Sequence, residues 1–170
     1  MQISNSKYLN ALTRNIKAAQ QARASQTITF SVNPSDSEEV VKRCTAVDGL
    51  KNAIYVISRE PETSDADAIK AQLVAFKKQS VRKCPKINTN MSEVLYVGSS
   101  TTGVNKRLKQ HLGYGHEQTY AMQLCHWFSE EVQISVFEYE GVERDVLQLI
   151  EDAVSCELNP MFGKQGGNNK

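Results

Sequence analysis

Leu9, Leu12, Ile16 and Ala19 recur at steps of three and four through Ser4 to Ala24, a stretch without glycine or proline. That period predicts an amphipathic helix. Thr27 to Val32 is β-prone, and Asn33-Pro34-Ser35-Asp36 supplies turn and N-cap chemistry for a second helix ending near Thr45. Ala53 to Ser58 and Glu93 to Gly98 are apolar, β-branched strand candidates. Between them, Ser64 or Asp65 can cap a helix bearing Ile69, Leu73 and Phe76, and Cys84-Pro85 marks an irregular return. Val104 to Leu112 reads as a helix stopped by Gly113, and Gln118 to Phe128 as another. Val132 to Tyr139 alternates apolar and polar residues, as a half-buried strand does, and Val142 to Leu158 returns to helical period before Asn159-Pro160. The expected product is one mixed α/β domain with a small sheet and a glycine-rich tail.

Composition narrows the class. At 170 residues and 40% apolar letters, the chain is long enough to bury a core without disulfides or a structural metal. Its apolar runs fall far short of the roughly 20 residues a bilayer span requires, and its N-terminus has no signal-peptide core. Cys44, Cys84, Cys125 and Cys156 form no CxxC pair, so they read as reduced, mostly buried thiols of a cytoplasmic protein. The net charge of +1 conceals an asymmetry: Met1 to Leu112 holds 17 Lys and Arg against 9 acids, and Gly113 to Lys170 holds 3 against 10. A basic first part can present a patch to a polyanion even at this overall balance.

The polar residues with chemical potential lie on four elements. Tyr55 and Tyr96 hold corresponding places in the two central strands, where tyrosines usually serve as half-buried packing. Arg107 and His111, four apart, share a helix face. Glu151 sits in an otherwise apolar helical stretch, either as a ligand for a hard cation or on the solvated stripe. Cys125 and His126 are helical neighbours that would not face each other, and Ser99 to Gly103 lacks the ending of a P-loop. His116 reads as a loop residue and Trp127 as core.

Taken in order, Ala53-Ile54-Tyr55, Tyr96-Val97-Gly98, Arg107 with His111, and Glu151 nine residues before Pro160 resemble the GIY-YIG nuclease family over roughly Asn52 to Phe162. The resemblance implies a three-stranded, mostly antiparallel sheet flanked by helices, one Mg²⁺ or Mn²⁺ per site, and hydrolysis of DNA phosphodiesters. Residues 1–50 would be a helical extension, 51–163 the nuclease core with 60–92 inserted, and 164–170 a flexible tail. Ala53 replaces the family's first glycine, and Gly163 stands where the family has an asparagine, with Asn159, Asn168 and Asn169 nearby.

Carried over residue by residue, Glu151 would hold the metal and Arg107 would donate to the phosphate oxygens. Tyr55 would align the attacking water, with Tyr96 or His111 orienting it and His111 the best proton relay. Lys77, Lys78, Arg82 and Lys83 on the inserted segment, with Lys106 and Lys109 beside Arg107, would grip the DNA backbone. An enzyme cutting palindromes would need two protomers. The alternative is a catalytically impaired nucleic-acid-binding module on the same fold.

Overall fold

The structure, a computed structural model, describes residues 6–60 and 65–164. Four strands form one antiparallel sheet in the order β1-β4-β2-β3, with β1 at Gln26–Val32, β2 at Ala53–Arg59, β3 at Val94–Ser100 and β4 at Val132–Glu138. Five helices accompany them: α1 (Ser6–Gln21), α2 (Ser37–Thr45), α3 (Ala66–Gln79), α4 (Val104–Leu112) and α5 (Arg144–Leu158). The mixed α/β class agrees with the sequence reading. None of the helices is long and apolar enough to cross a membrane, among the described residues.

Two expectations need correction. The sheet has four strands where the resemblance implies three, because β1 pairs with β4 along its whole length, from Gln26 opposite Glu138 to Val32 opposite Val132. The β-prone run Thr27 to Val32 within residues 1–50 is this strand. Phe30 and Val32 alternate inward beside Ile134, Val136 and Val132, so β1 widens the apolar floor that β4 alone would leave open. The helix expected over Gln118 to Phe128 is absent; only one 3-10 turn, Leu124–His126, forms there. Gln123 adopts a left-handed backbone, and Ala121 to Leu124 are buried consecutively rather than with helical period. The Met122 N–H donates to His111 Nδ1 and the Met122 carbonyl accepts from Trp127 Nε1, so tertiary partners replace helical ones.

Elsewhere local chemistry sets the boundaries. Asp36 and Asp65 each accept from the backbone N–H three residues on, at 2.9 Å and 2.8 Å, and start α2 and α3. Gly113, at φ 107°, closes α4 in the left-handed region that favours glycine. The segments expected from Ser4 and from Gly163 onward extend beyond the described residues at 4–5 and 165–170, and Ser64 also lies outside them. Of the four cysteines, all free, Cys44 and Cys84 are buried, Cys125 is half-buried and Cys156 is exposed; burial pushes the Cys44 thiol up to about 11.

The two sheet faces hold separate cores. Ala53, Tyr55 and Ile57 face one, with Ile69, Leu73, Leu108, Leu112, Met122 and Phe162. Ile54, Val56 and Val97 face the other, under Val146, Leu147 and Ile150 of α5, which α1 covers through Ala18 and Ala19, with Ala22 just past its end. Lys7, Arg14, Lys17 and Arg23, in α1 and just beyond its end, therefore go to the α5 side. The 60–92 segment folds back onto the chain's end: Ile87 pairs with Phe162, the Asn88 N–H donates to the Met161 carbonyl, and Gly163 N–H donates to the Lys86 carbonyl. Met161 and Phe162 in turn donate to the carbonyls of Val94 and Leu95, covering the start of the β3 edge.

Phe162 is fully buried and meets Trp127 edge-on at 6.0 Å between centroids. Phe162→Ala should lower the unfolding free energy by about 3–5 kcal/mol, seen as a lower urea midpoint at unchanged m-value.

Candidate active site

Tyr55 lies opposite Gly98 in the β2–β3 pairing. A Cβ on Gly98 would stand 2.4 Å from Tyr55 Oη and 2.9 Å from the Tyr96 ring, so both phenols occupy the space that the missing side chain leaves. The pairing slips between Ile57 and Ser58, where Tyr96 and Val94 become successive partners and Leu95 is the extra residue. This bulge lets the neighbours Leu95 and Tyr96 both pack on the Tyr55 side. The two tyrosine rings are near parallel, 14° apart in plane and 6.3 Å between centroids. Tyr55 is 1% exposed.

His111 completes the cluster from α4, its ring 4.3 Å from that of Tyr96 and its Nε2 3.1 Å from Tyr55 Oη. Its tautomer follows from the other nitrogen. Nδ1 accepts the Met122 N–H at 3.3 Å, so the neutral ring carries its proton on Nε2 and donates it to Tyr55. Burial, with the nearby Arg107 charge, holds His111 well below its ordinary value of 6.5. In this arrangement His111 supports a phenolate on Tyr55 by donation, and its occupied Nε2 does not take the phenol's proton.

Arg107, one turn earlier on α4, aims at the phenols and is held from the other side: Nη1 donates to Gln110 Oε1 and Nη2 to the Tyr120 carbonyl, each at 2.9 Å. Burial raises the phenol values of Tyr55 and Tyr96, and the Arg107 charge opposes the shift. Glu151 arrives from the opposite face of the sheet. Because β3 is an edge strand, the carboxylate on α5 reaches Ser99, whose hydroxyl donates to Oε2 at 2.5 Å, while Gln148 Nε2 donates to the same oxygen at 3.3 Å. Burial raises the Glu151 carboxyl, partly offset by the Ser99 bond. Tyr55, Tyr96 and His111 are thus in contact with Arg107 beside them, while Glu151 stands at β3 on Ser99 and acts on the phenols and Arg107 through its charge.

The basic residues divide. Lys77 lines a cavity of about 560 Å³ together with Tyr96, Arg107 and Tyr120. Lys83 places its ammonium 5.2 Å from the centroid of the Tyr120 ring. Lys78 is exposed on α3. Arg82 turns inward instead, donating to Gln123 Oε1 and the Gly115 carbonyl, as a structural tie. Lys106 and Lys109 line a separate hollow near Asp48 and Tyr114. Spacing does not single out Ser99, Gln148 or Tyr120, nor Lys86 and Lys164 on the cavity wall. The lysines are visible in the sequence as charge; Ser99 and Gln148 show only once the fold brings them to Glu151.

Gly163 sits at φ 103°, where a Cβ would stand 3.0 Å from the Tyr96 ring. Tyr96 occupies the place of a side chain at that position. Among the described residues no cluster of three or more His, Cys, Asp or Glu is placed to hold a metal. A single oriented carboxylate still suits a magnesium ion that draws its other ligands from substrate phosphate and water. Family models, curated proteins and solved structures were compared with the chain, and none matches.

Above about pH 6.5, His111 is neutral in both folded and unfolded chains. Below it the unfolded chain binds a proton that the folded one resists, so stability falls with falling pH, by up to about 1.4 kcal/mol per unit from this group. The loss in urea-unfolding free energy from about pH 6.5 to pH 5 should be smaller in His111→Gln than in the wild type.

Proposed function

We propose that this chain is a metal-dependent DNA endonuclease hydrolysing phosphodiester bonds, as its resemblance to the GIY-YIG nucleases implies. The observation that supports the reading is the cluster of Tyr55, Tyr96 and His111 with Arg107 beside it and Glu151 held by Ser99 on the same strand as Tyr96, next to a cavity walled by Lys77, Lys86 and Lys164. The lysines favour a polyanion, and the half-buried guanidinium suits a phosphate that gathers charge as it reacts.

Glu151 would hold Mg²⁺ or Mn²⁺ through the oxygen not bound to Ser99, and the ion would polarise the phosphate and stabilise the leaving oxygen. Arg107 donates to the non-bridging oxygens with a fork already fixed by Gln110 and the Tyr120 carbonyl. Tyr96, the phenol that reaches the cavity wall, orients the attacking water. Tyr55 lies beneath it, and its ionisation is opposed by burial but assisted by Arg107 and by the Nε2–H of His111.

A non-catalytic DNA-binding module is the second reading, favoured by Gly163 and by the Tyr96 ring that fills the place of an asparagine side chain. A supercoiled-plasmid assay separates the two. The wild type should nick or cut with Mg²⁺ or Mn²⁺ and stop on chelation, and Glu151→Ala should spare the plasmid. Arg107→Ala should lower the cleavage rate by about 10²–10³. Binding without cutting in either metal would select the module.

Backbone binding has its own readout. Neutralising Lys77 and Lys86 should flatten the dependence of log K on log salt by about 0.9 for each phosphate that is no longer neutralised. An Arg82→Gln change should act mainly on stability, because Arg82 is engaged by Gln123 and Gly115.

A further inference from the structure

Tyr120 is 64% exposed. A single ring on a surface is ordinary, but this one is tied to the site. Its carbonyl accepts from Arg107 Nη2 at 2.9 Å, so the backbone that carries the ring is held by the same guanidinium that faces the phenols. Lys83 stands 5.2 Å from the ring centroid. The residue also lines the cavity of about 560 Å³, which has Tyr96 and Pro85 as apolar wall and Lys77, Lys86 and Arg107 as cationic wall. An aromatic platform lining a pocket with cations in its wall matches the needs of one nucleotide: a flat base to stack, and phosphates on either side to neutralise.

A fully paired duplex does not meet that shape. Its bases are stacked inside and only its phosphates reach the surface, so a recessed pocket with an aromatic rim gains nothing from it. Drawing a paired nucleotide out sacrifices stacking and pairing of about the same size as one new stacking contact, whereas a nucleotide already unpaired keeps the whole gain. Because stacking accepts any base, the preference would be for structure rather than sequence.

We propose that Tyr120 and the cavity it lines seat an unpaired nucleotide, so that the DNA recognised at this site is duplex carrying an unpaired or single-stranded nucleotide beside the scissile phosphate. The inference rests on the reading of the site as a DNA phosphodiesterase and adds its substrate class.

The test is fluorescence anisotropy in EDTA at fixed salt, with a labelled duplex either fully paired or carrying one unpaired thymidine. The wild type should bind the unpaired form about 5- to 140-fold tighter, the value of one base–aromatic stack. Tyr120→Ala should abolish that ratio and leave paired-duplex affinity and the thermal midpoint unchanged. Tyr120→Phe should keep the ratio, since stacking uses the ring and not the hydroxyl. Equal wild-type affinity for the two duplexes, or a preference that survives Tyr120→Ala, would overturn the proposal. If the plasmid is still cut in either of those cases, the endonuclease reading stands without the nucleotide seat. If neither duplex binds and no plasmid is cut, both fail together.

Discussion

The contact on which the site depends is the approach of the Tyr55 phenol to the backbone of Gly98 across the β2–β3 pair. Any side chain there would meet Oη at 2.4 Å. This vacancy is what lets two phenols and an imidazole share one volume against the sheet. The bulge at Leu95 then turns Tyr96 to the same side, and His111 bridges the phenols to α4. Each device is local, yet removing one displaces the others, because the rings pack against one another rather than on separate supports.

Sheet order decides the remainder. With β3 at the edge and β1 at the far side, a carboxylate on the α5 face needs to reach around only one strand to meet groups on the α4 face. In the middle of the sheet Glu151 and Arg107 would be separated by its whole thickness. β1, paired with β4 at the opposite edge, widens the floor, while the segment Met161 to Gly163, clamped between Lys86 to Asn88 and the start of β3, closes the cavity wall. The 60–92 region, an insertion by spacing, is thus bonded to the chain's end and contributes Lys77, Pro85 and Lys86 to the cavity.

Much of this is legible in the sequence where the signal is local. Periodicity and β-prone runs locate the five helices and all four strands, Thr27 to Val32 of β1 included, and cap chemistry at Asp36, Asp65 and Gly113 locates helix ends. Tyr55, Tyr96, Arg107, His111 and Glu151 can be singled out by their order and spacing on strands and helices. What escapes depends on partners far along the chain. Gln118 to Phe128 has helical composition, but the Met122 amide is taken by His111 and Gln123 turns left-handed, so tertiary bonds override propensity. Arg82 resembles a surface cation in a run of lysines, and only the fold shows Gln123 waiting for it. Ser99 reads as part of a loose loop, and its role at Glu151 arises from an α5 residue more than fifty positions later.

Arg107 and Glu151, of opposite sign, are each held by neutral partners. Among the described residues no carboxylate lies within ion-pair distance of Arg107; its donors are met by an amide oxygen and a carbonyl. Glu151 is likewise held by a hydroxyl and an amide. Both are half-buried, and burial penalises their charged forms. A direct salt bridge would have relieved that penalty and left little field for anything else. Neutral partners fix the two groups without cancelling them, so a phosphate arriving at Arg107 and a cation at Glu151 would each meet a preoriented charge whose desolvation was settled during folding. Neutral partners on both groups are the feature that a purely structural ion pair would lack.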